Sequence, residues 1–216
     1  MTATPRRYHT VIGAASLIVG PALMSVGDLF HPPESWDPVA QVAIVAASAS
    51  RWYSAHLLLF IGMLLFVPGI LALTAVVAER RPAFGYAARV LMLAAVGALS
   101  AVFTFEMLLG RVVAAGAPQP TAVRLLETFM GPTVFPAIAP GLLAFFVGTG
   151  LAAAPLASRA GPLRGPAIVF ALGAALILAE IISAEVLLSQ IGNVLTLVGG
   201  VWFARVLMRG TAWQTT

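Results

Sequence analysis

The stretch LILAEIISAEVLLSQIGN, residues 176–193, sets two glutamates, Glu180 and Glu185, inside a run that otherwise consists of oily side chains. How it reads decides the fold. An acid at the centre of a membrane helix costs about 2.5 to 3.5 kcal/mol on insertion scales. Such residues are tolerated where they face other helices or a water-filled cleft. The expected reading is therefore a spanning helix from Pro166 through Leu188, with a sixth from Asn193 to Met208. At about 1.5 Å of rise per residue, Glu180 lies about 21 Å from the Pro166 end and Glu185 about 29 Å. Ser183, Leu187 and Gln190 follow Glu180 at helical spacing and form a mostly polar stripe. Glu185 points about 140° away, beside Ser189, so the two acids do not form a dyad.

The whole chain supports a membrane as solvent. Of 216 residues, 60% are hydrophobic and 9% charged, against about 25% charged in a soluble domain. Mean hydropathy is +0.99. The length fits a single domain over 1–216. Spanning needs about 20 mostly apolar residues. Six runs qualify: 10–30, 53–78, 86–114, 134–156 (opening with FPAIAPG), 166–188 and the short 193–208. PRRYHTVIGAASLIVG followed by SVG has the outline of a signal peptide, but it reads as an uncleaved first helix. The fold class is thus all-α, a polytopic transmembrane bundle of six helices, with two short outer interfacial helices described below.

Cysteine is absent, which excludes disulfides, thiolate metal sites and cysteine nucleophiles. All twelve basic residues are arginine. They are scattered between apolar runs and form no nucleic-acid patch, despite a pI near 10.7. Arg6, Arg7, Arg80, Arg81, Arg89, Arg159, Arg164, Arg205 and Arg209 fall on one side, and Arg51, Arg111 and Arg124 on the other. The positive-inside rule makes the first side, with both termini, cytoplasmic and places the protein in the cell membrane.

Two outer loops carry structure. In HPPESWDP (31–38) the prolines forbid a helix. Asp37 then caps a short helix with Pro38 at its first position. PTAVRLLETFMGP (120–132) gives a second short helix, with Thr121 as cap, an Arg124–Glu127 pair at i,i+3, and Gly131-Pro132 as stop. Trp36, Trp52 and Tyr53 read as an aromatic interface belt.

Counting depth along each run gathers Asp28, His31, Glu34, Asp37, His56, Glu106, Glu127, Glu180 and Glu185 into one outer layer. Most have ordinary explanations. Interfacial acids are hydrated or arginine-paired, His31 favours a helix C-terminus, and His56 bonds to Trp52 or a backbone carbonyl. Glu180 is the exception, because an acid so deep is a functional residue by default. The layer predicts an outward-facing pocket lined by Asp28, His31, His56, Glu106 and Glu180. In an enzyme on a lipid or isoprenoid, Glu180 is the acid and His56 or Asp28 the base. His31, Glu106, Trp52 and Arg111 contact the substrate. A carboxyl so poorly solvated is expected to be neutral and to donate a hydrogen bond to His56. The layout resembles small membrane-embedded terpene cyclases and sterol isomerases, without their motifs.

The alternatives are a proton-coupled carrier, which at this size would dimerise, and a non-catalytic membrane subunit. Asp28 and His31 at i,i+3 with His56 and Glu180 resemble a carboxylate–histidine metal set, and two histidines a haem site. With so few histidines, no haem, metal or other cofactor is expected. The expected partners are the bilayer and a small amphipathic ligand.

GAASLIVGPALMSVGDLFHP (13–32), then RWYSAHLLLFIGMLLFVPGILALT (51–74), then a short arginine loop, resembles six-helix integral membrane proteins of uncharacterised activity that are common in actinobacteria. The resemblance covers most of the chain and implies the fold alone.

Overall fold

The computed structural model describes residues 4–158, 160–183 and 185–209. The side chains of 4–9 and 182 are outside that description, as are Arg6, Arg7 and Arg159 of the loop-charge pattern. The described residues form eight helices and no strands. They are α1 (Thr4–Leu29), α2 (Pro38–Ala47), α3 (Ala49–Arg80), α4 (Pro82–Ala114), α5 (Gln119–Met130), α6 (Phe135–Ala157), α7 (Arg164–Ser183) and α8 (Val186–Met208). Six of them are long and apolar enough to cross a membrane. The chain is a multi-pass membrane protein.

The six long helices pack in a ring: α1 on α3, α3 on α4, α4 on α6, α6 on α7, α7 on α8, and α8 back on α1. The inner core contains Leu17, Met63, Phe66, Ile70, Met92, Phe170 and Phe203. Outward faces stay apolar: Val90, Leu143, Val147 and Leu172 are more than half exposed. Such faces are stable only against lipid. Close approach depends on glycine. A Cβ on Gly62 would lie 2.8 Å from the Gly20 carbonyl oxygen, and Gly200 sits directly on the Leu17 carbonyl. Small residues at such crossings let membrane helices meet backbone to backbone.

The short helices α2 and α5 lie at one end of the ring, here called the cap end, packed on each other and on α4. Asp37 caps α2 as its sequence implies, accepting from the amides of Val39 and Ala40 at 3.3 Å each. Phe105 of α4 stacks on Phe129 of α5 with centroids 3.7 Å apart. A second core of Val42, Val45, Trp52, Leu109 and Leu126 joins these elements to α3 and α4.

Three local expectations are corrected. The run 166–188 is not one helix: α7 ends at Ser183, and Glu185 is the N-cap of α8. Ser183 Oγ donates back to the Ala179 carbonyl and accepts the Glu185 amide at 3.4 Å. Serine competes with the helix ladder in just this way. The polar stripe from Glu180 to Gln190 is therefore broken, and α8 begins seven residues before Asn193. Helix α5 starts at Gln119 with Pro118 as its cap, ahead of Thr121. Arg124 donates to the Pro120 carbonyl and makes no ion pair with Glu127 among the described residues.

Candidate functional site at the cap end

Asp28, His31 and His56 come together at the cap end. Asp28 ends α1, the last turn before the proline loop. Its amide-side neighbours close that turn: the His31 amide donates to the Asp28 carbonyl at 3.0 Å. Arg51, at the start of α3, then donates from Nε to the Phe30 carbonyl (2.6 Å) and from Nη2 to the His31 carbonyl (3.2 Å). It satisfies carbonyls that a helix C-terminus leaves open, and it holds the loop against α3.

That clamp brings two histidines into contact. His31 and His56 face each other with Nε2 atoms 3.3 Å apart. His31 Nδ1 is 2.7 Å from the Pro32 carbonyl oxygen, and His56 Nδ1 is 2.9 Å from that of Trp52. A carbonyl oxygen only accepts, so both Nδ1 atoms carry hydrogen. In the neutral rings, both Nε2 atoms are then lone pairs. The centroids are 4.7 Å apart and the rings are tilted by 71°. With both Nδ1 atoms bonded to carbonyls, the two Nε2 atoms meet as acceptor against acceptor unless one ring gains a second proton or a donor enters. Trp52 packs on both rings, at 4.8 and 4.7 Å, and its Nε1–H donates to the Glu106 carbonyl at 3.1 Å. His31, His56 and Asp28 are all less than a tenth exposed. Burial first, and the Arg51 guanidinium second, hold the His31 pKa below its usual 6.5, against the opposing pull of the Pro32 carbonyl and Asp28.

Asp28 accepts from Asn193 Nδ2 at 3.2 Å and Ser189 Oγ at 3.3 Å. Ser189 has one hydrogen and a nearer acceptor in the Val186 carbonyl, at 2.9 Å. Asn193 is thus the main donor to Asp28. The sequence reading missed this pair, although Ser189, Asn193 and Thr196 form a buried stripe at i, i+4 and i+7 once α8 starts at Val186.

The remaining residues divide. Glu34 Oε1 lies 3.5 Å from His31 Nε2, with about half its side chain (47%) exposed. Glu106 belongs to the layer, and its Oε2 is sealed from solvent without any hydrogen-bond partner. Glu180 is half-buried, within electrostatic reach of Asp28 and Glu34. It has no bond to His56, because both nitrogens of that ring are directed at Trp52 and His31. Arg111 is outside the cluster: its guanidinium lies 5.1 Å over the Tyr53 ring.

Two cavities lie away from this cluster. One, of about 530 Å³, runs along α8 beside Leu197, Val201, Trp202 and Arg205. The other, of about 560 Å³, lies between α2 and α5 at Val39, Pro120 and Arg124. Among the described residues, no group of three or more His, Cys, Asp or Glu side chains is arranged to hold a metal ion. No protein-family model, no curated protein and no solved structure matches this chain.

Proposed function

We propose that the cap end faces outward, with both termini in the cytoplasm, and that the His31–His56 cluster binds a small amphipathic molecule of lipid or isoprenoid type from the outer leaflet. The protein then moves a proton to or from that molecule. The observation that carries this reading is the 3.3 Å contact between the two Nε2 atoms, since facing buried acceptors are costly unless a proton or a donor group comes to them. The histidine pair is the base, and Glu180, half-buried at the edge of the cluster, is the acid. Asp28, fixed by Asn193, orients the end of α1 instead of acting as base.

A proton-coupled carrier is the second reading. The specific observation in its favour is burial: His31, His56 and Asp28 are each less than a tenth exposed, as at a site closed on one side of an alternating-access cycle.

Native mass spectrometry of the detergent-purified protein tests the proposal. An amphipathic molecule should stay bound through delipidation and be lost from Glu180→Gln, while expression and melting temperature hold. A protein that carries no such molecule, or carries it equally well as Glu180→Gln, contradicts the proposal and favours a non-catalytic subunit.

A further inference from the structure

The cap-end cluster has an imbalance that specifies the chemistry of its ligand. Four carboxyls share this layer: Asp28, Glu34, Glu106 and Glu180. Glu180 is within electrostatic reach of Asp28 and Glu34, and Glu106 of Glu34. Against them stands Arg51 alone, with two of its nitrogens committed to the Phe30 and His31 carbonyls. His31 and Glu34, 3.5 Å apart, form an ion pair only when the ring is protonated. Burial disfavours that proton.

Donors are scarcer still. His31 Nε2 and His56 Nε2 face each other as acceptors, and Glu106 Oε2 is buried with nothing donating to it. Ser189 divides its single hydrogen between Asp28 and a backbone carbonyl. An acidic cluster alone would be satisfied by water or protons. A buried carboxyl oxygen without a partner and, in the same layer, two facing imidazole acceptors suit a group that brings several hydrogens and a positive charge. The aromatic wall fits the same group. The Trp52 ring lies against both imidazoles, and Phe103 lies 6.2 Å from His56. Aromatic faces attract cations and exclude water around them.

We propose that the ligand of this site is a primary or secondary amine in its ammonium form, carried on an apolar tail. Its N–H groups donate to His31 Nε2, His56 Nε2 and the Glu106 carboxylate, and its charge offsets that of Glu106 as it ionises. The proposal rests on the functional reading above, in that it uses the same site, and it narrows the ligand from amphipathic to cationic and hydrogen-donating.

The test compares three twelve-carbon probes on the purified protein in neutral detergent near pH 7.5: dodecylamine, dodecyltrimethylammonium and dodecanol. Dodecylamine, at a hundredfold excess over its Kd, should raise Tm by about 5 °C or more. The quaternary ion, which has charge but no N–H, and the alcohol, which has one donor and no charge, should shift it far less. Glu106→Gln should weaken dodecylamine binding at least about tenfold and leave the response to dodecanol unchanged. Equal shifts for amine and alcohol would overturn the cationic ligand and leave the amphipathic site standing. Equal shifts for the two cations would overturn the donor argument. Stabilisation by zinc ion but not by dodecylamine would assign the lone pairs to a metal and overturn the proposal. No shift with any probe overturns it as well. In that case, a mass retained in native spectra leaves the functional reading intact, and an empty protein removes both.

Discussion

Asp28 depends on a single well-placed donor, Asn193 Nδ2 at 3.2 Å. Removing a donor from a buried acceptor costs about 1–3 kcal/mol, because the acceptor stays desolvated. Asn193→Ala should therefore lower thermal stability in detergent by that amount, and an unchanged melting temperature would show that Asp28 does not need the bond. His31 gives a pH dependence of definite sign. Its pKa is lower in the folded protein than the ordinary 6.5, chiefly through burial. The folded state thus binds the proton less readily than the unfolded chain does. The stability due to a neutral His31 is complete above about pH 6.5 and is lost as pH falls toward the folded value. Asp28, Glu34, His56 and Arg51 are the charged or titratable groups around the ring. Melting temperature should fall from pH 7 to pH 5 by more in the wild type than in His31→Gln; equal falls in the two would remove His31 as the cause. At this scale the sequence revealed depth but not partners. Counting residues along helices put Asp28, His31, His56 and Glu106 in one layer. Helix rotation decides which atoms meet, and it turned Arg111 onto Tyr53 and His56 away from Glu180.

At the scale of elements, the helix pairs are set by glycine. Gly62→Ala would press a methyl group to 2.8 Å from the Gly20 carbonyl oxygen and 2.9 Å from the Met24 amide, both backbone atoms that cannot swing away. Overpacking of this kind costs about 1–3 kcal/mol. Gly150 has nothing within 4 Å of its would-be Cβ, so Gly150→Ala should be neutral or stabilising by up to about 1 kcal/mol. Thermal unfolding of the two variants side by side checks the contrast, and equal effects would contradict the α1–α3 packing. The six spans were legible because apolar runs of that length have no other stable use. The α7–α8 boundary was not: no Gly or Pro marks it, and the Ser183 hydroxyl that accepts the Glu185 amide there carries no distinctive sequence signal. The start of α2 at Asp37-Pro38 was legible because cap chemistry is local.

At the scale of the molecule, the distribution of arginines predicts opposite exposure for the two ends. Single cysteines replacing Arg81, between α3 and α4, and Ala117, between α4 and α5, should react with an impermeant thiol reagent from opposite sides, Ala117→Cys from outside intact cells. Labelling of both from the same side would overturn the orientation. The central claim is that the polar cluster, and not either cavity, is where a ligand sits. Photolabelling with a diazirine-bearing alkylamine, followed by peptide mapping, addresses that choice directly. The account predicts that label falls on residues 28–34, 52–60 and 103–106 and is competed away by dodecylamine. Label confined to residues 197–209 along α8, where the 530 Å³ cavity lies, would contradict it.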